Sequence, residues 1–180
     1  IIMNVLVAFL IYAFVLMIWG ERKTPNASVK NGIWVIDSVM HKFGFQNGDK
    51  IIKVNGDTIK NFEDIQLKVL IGGRNVVLER EGKIMELPLP IDLIDKLITR
   101  KDKKRILMAE RLPAILGKYK DKDTANGKKA GLQPFDQILA VNGESVNFVD
   151  EINRIGAKNK GGVVNLDVKR NNDSVQLSCK

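Results

Sequence analysis

Cysteine and histidine are nearly missing from this 180-residue sequence, and each scarcity closes off a class of chemistry. The single cysteine, Cys179, excludes an internal disulfide, although it does not identify a compartment. The single histidine, His41, excludes a His-Glu-x-x-His zinc helix, which needs two imidazoles on one helical face. A Ser-His-Asp triad could run only through His41, and no Gly-x-Ser-x-Gly elbow accompanies it. His41 sits between charged and apolar neighbours and reads as a surface residue. Aromatics make up 6% of the chain and do not interleave with its basic residues, which argues against a nucleic-acid surface. Acidic residues are outnumbered 21 to 29, for a net charge of +8, while 44% hydrophobic residues exclude a disordered chain. By itself the chain reads as a non-catalytic part.

What is present is a repeat. Gly44-Phe45-Gln46-Asn47-Gly48-Asp49-Lys50-Ile51-Ile52-Lys53-Val54-Asn55-Gly56 returns 87 residues later as Gly131-Leu132-Gln133-Pro134-Phe135-Asp136-Gln137-Ile138-Leu139-Ala140-Val141-Asn142-Gly143, with seven of thirteen positions identical. Beyond the motif, Ile65 falls on Ile152, so the repeat is a folding unit written twice. A Gly followed by a bulky apolar residue ends a short helix. The turn at Asn47-Gly48-Asp49 leads into a strand, and Asn55-Gly56 and Asn142-Gly143 suit tight turns with positive φ at both central residues.

This pattern resembles the PDZ domains of bacterial envelope proteases, whose signature is Ala-Gly-Leu-x-x-Gly-Asp-x-Ile-x-x-Val-Asn-Gly. The first copy keeps Gly48-Asp49, Ile51 and Val54-Asn55-Gly56; the second keeps Ala130-Gly131-Leu132, Asp136, Ile138 and Val141-Asn142-Gly143. Phe43 and Phe45 depart from it in the first copy, and Phe135 stands where the second copy should have Gly. The expected fold class is α+β: a transmembrane helix over residues 1–20, PDZ-like units over 31–88 and 111–180, and a linker over 89–110. Each unit is expected as a circularly permuted, partly open β-barrel or sandwich with two helices.

Ile1 to Trp19 is an apolar run broken only by Asn4 and softened by Tyr12, nearly long enough to cross a hydrocarbon core of about 30 Å. A signal peptide would need a basic start and small residues at its end, which this run lacks; a buried helix is the other reading. The run has no initiator methionine, which suggests a fragment of a larger membrane protein. The resemblance extends to site-2-type (RseP-like) membrane zinc metalloproteases, where the span before the PDZ region opens with Gly-Pro-x-x-Asn; Asn4 matches its Asn alone. It implies Zn2+ in the full-length protease, though no cofactor in this chain. It also implies membrane-anchored protein substrates, such as anti-sigma factors or signal-peptide remnants, or peptide C-termini as partners. The units would stand outside the bacterial cytoplasmic membrane. Arg22, Lys23 and Lys30, outnumbering Glu21, would place that side in the cytoplasm by the positive-inside rule. A membrane-anchored tandem PDZ adaptor without protease activity is the alternative.

The peptide groove is expected along Ile33, Trp34, Val35 and Ile36, as an edge strand open to β-augmentation, or else these residues line the core. A helix from Phe62 to about Leu70, capped by Asn61, would wall the groove through Ile65 and Val69, with Lys68 at its rim. In the second copy Pro113, Ala114 and Ile115, within Leu112 to Gly117, would hold the strand position, and Ile152 the helix position. Ser38 and Thr124 are expected as N-caps. Arg100-Lys101-Asp102-Lys103-Lys104-Arg105 reads as a solvated linker, with anionic lipid headgroups as the next option. Proteolysis is expected first there.

Overall fold

The computed structural model describes residues 2–20, 23–100, 106–120 and 126–179. The basic run from 101 and the expected cap at Thr124 therefore lie outside the described residues. The first element, α1 (Ile2–Trp19), has no buried residue. Its 18 residues span about 27 Å at 1.5 Å each, which is membrane length.

The first copy contains β1 (Ile33–Val35), α2 (Ser38–Lys42), β2 (Lys50–Val54), β3 (Asp57–Thr58), α3 (Asp64–Leu70), β4 (Asn75–Arg80) and β5 (Lys83–Pro88). Then come α4 (Leu93–Thr99) and β6 (Met108–Glu110). The second copy contains α5 (Asn126–Lys129), β7 (Gln137–Val141), β8 (Glu144–Ser145), α6 (Val149–Lys158), β9 (Val164–Arg170) and β10 (Asp173–Cys179). The fold class is α+β, as expected. Two four-stranded antiparallel sheets, β3-β2-β4-β5 and β8-β7-β9-β10, repeat one order. Each even repeats a bulge, between Ile51 and Lys53 and between Ile138 and Ala140.

The repeated motif explains the repeated sheet. Asn55 and Asn142 adopt φ of 52° and 51°, followed by Gly56 and Gly143 at 86° and 80°, which is the primed turn that matches strand twist. Each Asn also reaches the next strand: its side-chain oxygen accepts from Arg74 N–H at 2.7 Å in one copy and from Asn165 N–H at 2.8 Å in the other. Phe135 keeps the turn of its glycine counterpart Gly48 by taking φ 70° itself, with its ring in solvent. Asp37, not Ser38, caps α2: its carboxylate accepts from Val39 N–H at 2.9 Å.

The motif aspartates are buried. Asp49 accepts two bonds from Arg80 at 2.7 and 2.8 Å, and Arg80 also donates to Gly44 C=O at 2.7 Å. Asp136, Arg170 and Gly131 repeat the arrangement at 2.9, 2.7 and 2.8 Å. Bidentate pairing with extra acceptors is the geometry in which a buried carboxylate survives desolvation. Arg170 holds the Asp136 carboxyl below the usual carboxylate range, and Asp49 raises Arg80.

The stretch 89–110, expected as a linker with a short helix, contains α4 and packs on the first core. Leu89, Leu93, Leu97, Leu107 and Met108 are buried in the first core together with Val35, Ile65 and Val69. Arg100 Nε lies 2.8 Å from Asp37 Oδ2. Five apolar side chains at helix and strand spacing in 89–108 have nowhere else to hide from water.

Candidate functional site

Strand β1 has no free edge. Ile33 N–H donates to Asp49 C=O and Gly48 N–H to Ile33 C=O, both at 2.8 Å, and Val35 N–H donates to the Asn47 side chain at 2.8 Å. Its other side pairs antiparallel with β6, matching Ile33 with Glu110, Trp34 with Ala109 and Val35 with Met108. The expectation of an open edge at Ile33 to Ile36 is thus corrected. A strand arriving from more than seventy residues downstream fills it, and sequence neighbours give no hint of that pairing. Ile33 and Val35 are core residues, while Trp34 and Ile36 are half-buried.

Among the described residues no further strand pairs with the side of β6 turned away from β1. Leu107 C=O accepts from Ile36 N–H at 2.9 Å and Arg111 N–H donates to Gly32 C=O at 2.9 Å. Antiparallel alternation then turns the N–H and C=O of Met108 and Glu110 the other way. Helix α3 stands beside this strand, since Gln66 Oε1 accepts from Leu107 N–H at 2.9 Å. Ile65 and Val69 of the same helix are buried in the core. Lys68 is not at this rim: it lies two residues, about 200°, around the helix from Gln66 and pairs with Asp57 on β3 at 3.3 Å.

Arg111, immediately after β6, ties the copies together. Its guanidinium donates to Asp150 at 3.0 and 3.1 Å and to Glu151 at 2.8 Å, and it stacks on the Phe148 ring at 3.8 Å. Buried Asp150 also accepts from Asn47 at 2.8 Å, and Asn47 is the residue that takes Val35 N–H. A continuous chain of bonds therefore runs from β1 to the start of α6.

In the second copy Leu116, not Leu112, stands at the place of Ile33. Leu116 N–H donates to Asp136 C=O and Phe135 N–H to Leu116 C=O, both at 2.8 Å, repeating the Ile33 bonds with partners that are themselves repeat counterparts of Asp49 and Gly48. Ala114 N–H donates to Asn147 C=O as Asn26 N–H does to Lys60 C=O, each at 2.8 Å, so Ala114 matches Asn26. Pro113 and Ile115 are exposed and form single bridges to Phe148 and Gln137. The strand position expected at Pro113, Ala114 and Ile115 is corrected accordingly. Six residues separate Asn26 from Ile33 and only one separates Ala114 from Leu116, so the 87-residue shift fails across this stretch. Ile152 is half-buried against the second core.

Sequence reasoning missed Gln66, Arg80, Arg111 and Arg170. Arg80 and Arg170 each end the strand before a hairpin, but 90 residues apart, so the 87-residue shift hides their equivalence.

No family model matches the chain. Over 156 residues, 83% of its length, it is 28% identical to a protein of Treponema pallidum (strain Nichols) named as a zinc metalloprotease, covering 33% of that protein. Over 85 residues, 46% of its length, it is 31% identical to RC0203 of Rickettsia conorii, also named as a zinc metalloprotease, covering 23% of it. It is 26% identical over 151 residues to a protein of Chlamydia muridarum named as a DegP-like periplasmic serine endoprotease, across 74% of this chain and 30% of that one. The chain spans about a third or less of each relative, and what the three have in common with it is a protease-associated region.

Proposed function

We propose that this chain is the substrate-screening region of an intramembrane, site-2-type zinc metalloprotease, built of two PDZ-like units held outside the cytoplasmic membrane by α1. The observation that carries this reading is the side of β6 turned away from β1, on a PDZ-like unit that follows a membrane-length helix. An extended polypeptide laid there would exchange backbone hydrogen bonds with Met108 and Glu110. Each such bond contributes a net of about 0.5–1.5 kcal/mol, so recognition would be weak and sequence-tolerant. That suits the screening of membrane-anchored substrates or newly exposed chain ends. The relatives named as zinc metalloproteases support zinc in the full-length protein. The residues present do not fit a zinc site: there is one histidine, and among the described residues no cluster of His, Cys, Asp and Glu could hold a metal ion. No step of hydrolysis is assigned to this chain.

Titration of the chain in detergent with a library of extended peptides tests the edge. Glu110→Pro removes only an outward N–H, a position where an edge strand tolerates proline, so the pairing with β1 survives. Binding should weaken about two- to tenfold with Tm unchanged. Failure of every peptide to bind at millimolar concentration would leave the units as steric filters and sink the groove. The wider assignment is tested separately by sequencing the gene on both sides, where a His-Glu-x-x-His span upstream is expected.

A further inference from the structure

The two copies share a sheet order but not a surface. On α3, Asp64, Leu67 and Ile71 lie three and four residues apart and so share one face, turned away from the buried Ile65 and Val69. Leu67 and Ile71 are 58% and 75% exposed, and they border Asn55 and Asp57 of the β2–β3 turn in one depression. On α6 the exposed positions are Asn153, Arg154, Ala157 and Lys158. The unit therefore folds with this helix face polar, and the apolar pair on α3 answers to something outside the first core. The stripe starts at the exit of α1: Lys23 Nζ lies 3.9 Å from Asp64 Oδ1, and Thr24 N–H donates to the Glu63 carboxylate. From Asp64 to Ile71 is about 10 Å at helical rise, so the whole stripe stays close to the end of a membrane-length helix with no buried residue. Lys68, in contact with Asp57, and the exposed Arg74 flank it. An apolar centre with cations at its margin is the composition of a segment seated in a headgroup layer.

We infer that the first copy rests on the bilayer through Leu67 and Ile71, with the phospholipid headgroup layer as the partner of this face. Two attachments, α1 and this face, then fix the orientation of the first copy, where α1 alone would let it swing. The inference rests on α1 as a membrane span, as in the reading above, and not on the side of β6. Gln66 faces that strand, and Leu67 and Ile71 lie about 100° and 140° around the helix from it.

The full chain in phospholipid nanodiscs, carrying Cys179→Ser and one new cysteine labelled with an NBD fluorophore, reads the contact by quenching from nitroxide-bearing lipid. Labels at Leu67→Cys and at Ile71→Cys should be quenched about twofold or more beyond one at Lys83→Cys, which sits at the start of β5, the sheet edge opposite β3. Adding Leu67→Glu to the Ile71→Cys chain should bring its quenching down to the Lys83→Cys level. Leu67 is exposed, so the variant should keep its Tm, and thermal unfolding of every labelled chain checks that the first copy stays folded. Co-elution of chain and disc reports the insertion of α1 separately. A chain that stays with the disc while the three labels are quenched equally, or one whose Ile71→Cys label ignores Leu67→Glu, overturns the inference. A chain that leaves the disc overturns the membrane anchor, and this face with it.

Discussion

Leu107→Ala distinguishes a strand built into the first core from a linker passing over it. Leu107 is 3% exposed and packs in the cluster that includes Val35, Val69 and Leu97. Truncating a buried leucine removes its transfer free energy and leaves a cavity, together about 2–5 kcal/mol. For a copy of this size that lowers Tm by at least about 8 °C. A solvated linker residue would change stability by less than about 0.5 kcal/mol. The protein supplies its own probe, because Trp34 lies on β1, directly opposite Ala109 of β6, and Trp19 is the only other tryptophan. In a Trp19→Phe background, urea unfolding followed by fluorescence should shift to lower denaturant for Leu107→Ala and hold its midpoint for Ile106→Ala, whose side chain is 56% exposed. An unchanged Trp34 transition in Leu107→Ala would refute the assignment of β6 to the first core.

Three further outcomes are expected. The Asp136 carboxyl sits below its ordinary range beside Arg170, so its contribution is complete above the unfolded pKa of about 4 and is lost as pH falls through the lowered folded value. Circular dichroism between pH 5 and 2 should show Asp136→Asn with a flatter acid limb than the parent, and an equal limb would remove the pair from the acid response. Arg111→Lys keeps the charge but loses the fork on Asp150, the bond to Glu151 and the stacking on Phe148, and should cost about 1–3 kcal/mol of stability. Double-mutant coupling to Asn47→Ala measures whether the network is shared, and strict additivity would contradict it. Phe135→Gly relieves a left-handed aromatic residue at a cost of extra chain entropy; the balance should raise stability slightly, by no more than about 1 kcal/mol, and a loss of stability would mean that the exposed ring has a partner.

The duplication, the primed turns and the membrane-length helix were legible because they are local: Asn-Gly dipeptides and apolar runs act within a few residues. The positions of Ile65 and Val69 in the core followed from helical spacing for the same reason. The edge expected along Ile33 to Ile36 is paired, and the contact that pairs it is not local. β1 looks like an edge until Met108 to Glu110 pairs with it, and nothing in Ile33-Trp34-Val35 announces a partner so far along the chain. The wrong match at Pro113 has another cause, an extra stretch before Ile33 that only hydrogen-bond register reveals. Lys68 was placed by its charge, whereas its azimuth on α3, fixed by the Gln66 bond to β6, sends it to Asp57.

The junction between α1 and the first copy sets a leash. Helix α1 ends at Trp19, and by Thr24 the chain is already fastened, with Thr24 N–H on the Glu63 carboxylate at 3.0 Å and Phe62 N–H on Thr24 C=O at 2.9 Å. Only positions 20–23 of the sequence lie between these two points, a chain length on the order of 15 Å at full extension. If α1 lies in a bilayer, the first copy cannot rise out of reach of the headgroup layer, which is itself several ångströms deep. A polypeptide anchored in the same bilayer then meets this surface in a thin two-dimensional layer, at an effective concentration far above that of the same polypeptide free in solution. Weak contacts of the kind an edge strand offers are enough under that geometry, and they would favour partners that share the membrane.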